Sequence, residues 1–162
     1  MAELTTLEEK LAEVIGLAQA AQDATKKVEG LVDDEDIAGV LQHMREEAEE
    51  TERRGTKLAE ERDGKKTAIL DKARETKGEA GDMMKTYLGD DADDLDGFEF
   101  LTMAEAGEVG HWAVLQEMNA SARHSGVEEL TTWALPIQQR HLEGALAGSK
   151  ALAASEDPNE PA

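Results

Sequence analysis

The chain contains no cysteine. That absence excludes disulfides, thiolate metal sites and cysteine nucleophiles, and it suits a reducing cytoplasm. Proline is scarce: of the three, Pro158 and Pro161 lie at the C-terminal end and only Pro136 is left to interrupt a helix. Aromatic residues are few, namely Tyr87, Phe98, Phe100, Trp112 and Trp133, so any core must be built from aliphatic side chains. Positive charge is in short supply as well. Seventeen Lys and Arg stand against 37 Asp and Glu, a net charge of −20 over 162 residues. A surface of that sign repels phosphate, and with no basic patch in the sequence nucleic acid is not expected as a partner. It also disfavours anionic membranes. No apolar run approaches the roughly 20 residues of a membrane span. The opening "MAELTTLEEKLAE" is acidic and amphipathic, unlike a signal peptide. The expectation is a soluble cytoplasmic protein whose acidic surface keeps it dispersed, attracts cations, and offers a face to a basic protein partner.

What the sequence has in quantity is Ala, Leu, Glu, Lys and Arg, the strong helix formers. Thr6 and Glu9 have capping-box spacing, and Leu7, Leu11, Val14, Ala18, Ala21 and Val28 then recur on one helical face up to Gly30. A second helix is expected from about Asp36, with Ile37, Val40, Leu41, Met44, Ala48, Thr51 and Leu58 inward. After the turn "DGKK" (63–66), a weakly patterned stretch with Gly78 and Gly81 predicts one or two short connecting helices. The acidic run "GDDADDLDG" (89–97) reads as a loop, because its spacing does not match an EF-hand. A long helix is expected over 98–122, with Phe100, Met103, Ala104, Gly107, His111, Val114, Leu115 and Met118 on one stripe. It should end at "HSG" with Gly126 as its left-handed cap. A last helix follows over 127–153, kinked at Pro136. The pattern is all-α: four long helices in two hairpins joined by a helical middle connection, packed as a four-helix bundle over residues 1–154, with a disordered acidic, proline-containing tail at 155–162.

Bundle cores can hold two-metal centres built from Glu on two helices and Glu-x-x-His on two others, because residues three apart share a helix face. Glu108-x-x-His111 has that spacing in full. Glu47-x-x-Glu50 has it with two carboxylates, and Gln138-x-x-His141 keeps the imidazole but carries an amide in place of the acid. The first helix offers Glu13, Gln19, Gln22 or Asp23. Each pair also has a plainer explanation. Glu47 and Glu50 lie in "REEAEETERR", where exposed ion pairs are expected. His111 can be a core histidine bonded to a buried Glu, and His141 can bond a carbonyl freed by Pro136. Trp112 and Trp133 read as packing residues. Gly107, Gly110, Ala104 and Ala113 would let another helix approach closely. Neither a catalytic triad nor a glycine-rich phosphate loop is present.

Three stretches in order resemble the YciF-like stress proteins of the ferritin-like superfamily. "EEAEETERR" (46–54) resembles that family's second-helix signature around a Glu-Thr pair, here Glu50 and Thr51. "DGKKTAILD" (63–71) resembles its Gly-Lys-Lys segment, and "AGEVGHWAVL" (106–115) is similar to its third-helix run around a histidine, here His111. The resemblance implies a ferritin-like four-helix bundle, a stress-related role and possible metal binding. The sequence departs from the family at Glu47, which replaces a His, at Gly110 and Ala113, which replace acids, and in a last-helix motif reduced to Gln138 and Glu143. The expectation is therefore a ferritin-like protein, dimeric as a homodimer, with a vestigial or unusual iron or manganese site made of Glu47, Glu50, Glu108, His111 and His141. An active site of this kind would oxidise Fe(II). The alternative is a metal-free structural or protein-interaction bundle.

Overall fold

A computed structural model describes residues 2–160. Among these residues the secondary structure is five α-helices with no strand: α1 Thr6–Glu29, α2 Glu35–Glu60, α3 Lys66–Tyr87, α4 Asp94–Ala122 and α5 Ser125–Ser155. None of them is long and apolar enough to cross a membrane.

Local chemistry explains most of the boundaries, and several differ from the sequence expectation. The capping box of α1 is Thr5 with Glu8, one residue earlier than the Thr6–Glu9 pair. Glu8 also takes a bond from Lys65 at 2.9 Å, which ties the start of α1 to the start of α3. Asp34 caps α2 through the amides of Asp36 and Ile37. The middle connection is a single 22-residue helix and not one or two short ones. Gly78 and Gly81 are tolerated in it because α1 supplies a packing surface that propensity alone does not register. The acidic loop is shorter than expected. Asp93 and Asp96 form a capping box that starts α4 at Asp94, where carboxylates meet the positive end of the helix. The left-handed residue after α4 is Arg123 (φ 55°), not Gly126. Gly126 lies in the first turn of α5, where a Cβ would meet Leu58 at 2.6 Å. Helix α5 runs unbroken through Pro136 to Ser155, and residues 156–160 are exposed and non-helical. Residues 161 and 162 of the expected tail lie outside the described residues.

Cross-helix contacts set the directions. Gln22 bonds Glu52, and Arg45 pairs with Glu29, so α2 runs antiparallel to α1. Lys65 reaches Glu8, and Lys77 reaches Asp23, so α3 runs parallel to α1. That return makes α4 antiparallel to α1, as the contact of Glu13 with His111 and of Val28 with Gly97 requires. Helix α5 then packs antiparallel on α4 and on α2. Thus α1, α2, α5 and α4 form a ring of antiparallel neighbours, while α3 lies on α1 outside it and barely touches α4.

Two apolar clusters fill the interior. One joins Leu11, Ile15, Leu58, Ile69, Trp112, Leu115, Val127 and Leu130. The other joins Val28, Leu41, Met44, Phe98, Phe100, Leu101 and Ala145. Between them, on α4 and α5, the buried positions are Glu105, Glu108, Gln138 and His141. On α4 the buried stripe is Leu101, Glu105, Glu108, Trp112, Leu115 and Asn119, about one position off the stripe read from apolar residues alone.

Helix α1 makes its closest approach to α3 at Gly16, where a Cβ would stand 2.3 Å from the Ala73 carbonyl oxygen. By contrast, nothing lies within 4 Å of a Cβ at Gly107 or Gly110, so these glycines do not serve the close helix approach expected of them. Two opposite outcomes follow in urea unfolding. Gly16→Ala should cost about 1–3 kcal/mol through overpacking against backbone, whereas Gly110→Ala should add roughly 0.5–1 kcal/mol through helix propensity.

Candidate functional site

The polar layer is built from α2, α4 and α5. Glu105 and Glu108 sit one turn apart on α4 and are 1% and 3% exposed. His141 on α5 is buried beside them. Its Nε2 lies 2.6 Å from Glu47 of α2, and its Nδ1 lies 3.7 Å from Glu105. Arg140 holds Glu47 from the solvent side. A histidine with a carboxylate at each nitrogen is best satisfied as the imidazolium, which donates from both. Burial opposes its charge, but the contacts with Glu105 and Glu47 outweigh that, and the His141 pKa stands above the ordinary histidine value. Glu47 moves the other way. Partial burial opposes its ionisation, yet bonds from His141 and Arg140 hold its pKa below the usual carboxylate value. Glu108 is raised well above that value, first by burial and then by the neighbouring charge of Glu105. One oxygen on each of Glu105 and Glu108, and the amide oxygen of Gln138, have no hydrogen-bond partner among the described residues.

A cavity of about 200 Å³ opens between α1, α3 and α4 with Glu105 and Glu108 in its wall. Toward them α1 presents Leu17, Ala20, Ala21 and Ala24. The polar residues of α1 that could have served as ligands are engaged elsewhere. Glu13 bonds His111 at 3.1 Å, Gln19 and Gln22 hold Glu52 at 2.8 and 2.6 Å, and Asp23 pairs with Lys77.

The five residues picked from sequence therefore separate. Glu47 and His141 meet directly, and Glu108 is buried in the same layer beside Glu105. Glu50 points away, gripped by Arg53 and Arg54 on the surface, and these bonds lower its pKa to about 2. His111 is half-exposed at the cavity mouth on Glu13, not bonded to a buried Glu. His141 bonds Glu47 and not a carbonyl released by Pro136. The two tryptophans differ: Trp112 is fully buried, whereas the Trp133 ring is covered by the Arg54 guanidinium at 4.1 Å. Glu105 is the residue that the Glu-x-x-His search misses. Its signal was the spacing of 101, 105, 108, 112, 115 and 119, a 4–3 repeat that carries carboxylates at buried positions.

A two-metal centre does not fit this donor set. The α1 contribution is aliphatic, α5 offers an amide where an acid is required, and both nitrogens of the one imidazole face carboxylates. Among the described residues no three His, Asp or Glu side chains are grouped so as to hold an ion. No family model, curated protein or solved structure matches the chain.

The shifted groups set the sign of the pH response. The raised pKa of His141 contributes stability that is full below about pH 6.5 and is lost as pH rises through the folded value. The raised pKa of Glu108 likewise costs stability once pH exceeds the unfolded carboxyl value near 4.3. Glu108→Gln should therefore leave stability at pH 5 little changed and raise it at pH 8, as measured by urea unfolding at both pH values. His141→Ala should cost roughly 3–5 kcal/mol at pH 6, because it strands buried Glu105 without a counter-charge and leaves Glu47 with Arg140 alone.

Proposed function

We propose that the protein is a ferritin-like bundle of the YciF-like kind whose metal centre is vestigial, a metal-free core held together by hydrogen bonds and a shared imidazolium. The observation that carries this reading is His141 between Glu47 and Glu105. The imidazolium supplies the positive charge that a metal would otherwise bring to buried carboxylates. Support for the ferritin-like part comes from the ring of antiparallel neighbours, in which a helix carries the chain from the first hairpin to the second. On this reading the protein works through its acidic surface, as a stress-related interaction module with a basic partner or a second copy of itself. It is not an Fe(II) oxidase.

Metal analysis by mass spectrometry tests the reading directly. Tag-free protein grown with added iron and manganese should hold well under one ion per chain, and His141→Ala should lose stability without any change in metal content. Near-stoichiometric iron or manganese that disappears with His141→Ala would overturn it.

A further inference from the structure

The polar layer leaves one feature unused: the cavity beside it. Its walls are largely apolar, formed by Leu17, Ala21, Ala24, Met84 and Leu101, and at one side stand Glu105 and Glu108. Both carboxyl groups are more than nine-tenths buried; the unbonded oxygen of Glu105 faces His141 at 3.7 Å, whereas that of Glu108 has no hydrogen-bond partner among the described residues. Buried acceptors left in this state are costly and point to a donor that completes them. We propose that the cavity between α1, α3 and α4 is a binding site for a small organic ammonium ion with an apolar body, its charged head on Glu105 and Glu108 and its body along α1 and α3.

The chemistry selects this ligand class. An ammonium brings three donors and one positive charge, which answer the unpartnered Glu108 oxygen and the carboxylate charge beside it together. A divalent ion such as Mg²⁺ or Ca²⁺ would seek about six oxygen ligands, and hydrocarbon walls do not supply them. The size also suits a ligand of one ring and a short arm, since apolar cavities of roughly 150 Å³ admit benzene and this one measures about 200 Å³. His111 and the Asp23–Lys77 ion pair mark the mouth. The net charge of −20 draws cations toward it. Helix α3 barely touches α4, so the groove between them gives a way in.

The proposal rests on the core being metal-free, and the test separates the two. Isothermal titration of the full chain with 2-phenylethylamine is compared with 2-phenylethanol, which has the same shape without the charge. The amine is expected to bind at least about tenfold more tightly, a difference of about 1.4 kcal/mol. Glu108→Gln and Glu105→Gln should each remove that preference, with folding verified by circular dichroism. Gly81→Leu fills open space on the cavity wall and improves helix propensity, so it should abolish binding of both compounds without unfolding the chain. Equal affinity for amine and alcohol overturns the proposal. So does amine binding that survives Gly81→Leu, which would place it on the acidic surface, and so does the absence of any binding. A parallel titration with Mn²⁺ alone distinguishes the failures. Stoichiometric Mn²⁺ binding that blocks the amine overturns the metal-free reading, whereas no Mn²⁺ and no amine binding overturns the ligand proposal alone.

Discussion

Two carboxylates on one face of α4 must be buried if that helix is to bury Leu101, Trp112 and Leu115, because all five lie on the same stripe. The rest of the interior is arranged around this constraint. An isolated charge in an apolar core is too costly to keep, so each group is either paired or held protonated. His141 and Glu47 provide the pairing, and Glu108 answers to the charge of Glu105. The layer they form divides the apolar interior into two clusters, each continuous across several helices. A slip of one helical turn between α4 and α5 would set carboxylates against Gln138 or Ala145 in place of His141. The polar layer thus fixes register at some cost in stability, as a polar seam residue does in a coiled coil.

Helix α1 is the other organising element. It contacts α2, α3 and α4, and it can do so because its surface is rich in small side chains. Gly16 admits α3 to backbone contact, and Gly55 on α2 accepts Ile15 in the same way. The consequence reaches the site. The alanines that permit close packing supply no polar group opposite Glu105 and Glu108, and the space they leave is the cavity. Packing economy on α1 and the incompleteness of the polar layer have one cause.

Charge is distributed unevenly between surface and interior. Many acidic residues sit in short-range pairs along their own helices, such as Glu50 with Arg53 and Arg54 or Lys10 with Glu13, which are weak contributors to stability. The ion pairs that link helices include Glu8–Lys65, Asp23–Lys77, Glu29–Arg45 and, at the rim of the polar layer, Glu47–Arg140.

The all-helical class, the long helices and the separation into two hairpins were legible in the sequence, because helix propensity, 3.6-residue periodicity and turn signals act over neighbouring residues. The family resemblance and its metal chemistry rest on short motifs, which specify spacing along one helix and nothing about what stands opposite. That is why Glu47, Glu108 and His141 fall in one polar layer while Glu50 and His111, equally well spaced, face Arg53, Arg54 and Glu13. Glu105 escaped notice because a search for apolar stripes passes over a carboxylate, although its place in the 4–3 repeat marks it as interior. The length of α3 was hidden for a related reason: its stability comes from the surface of α1. Which buried carboxyl group is pushed up in pKa, which carboxylates His141 meets and where a cavity remains were decided by tertiary structure alone, since each depends on groups brought together from distant parts of the chain.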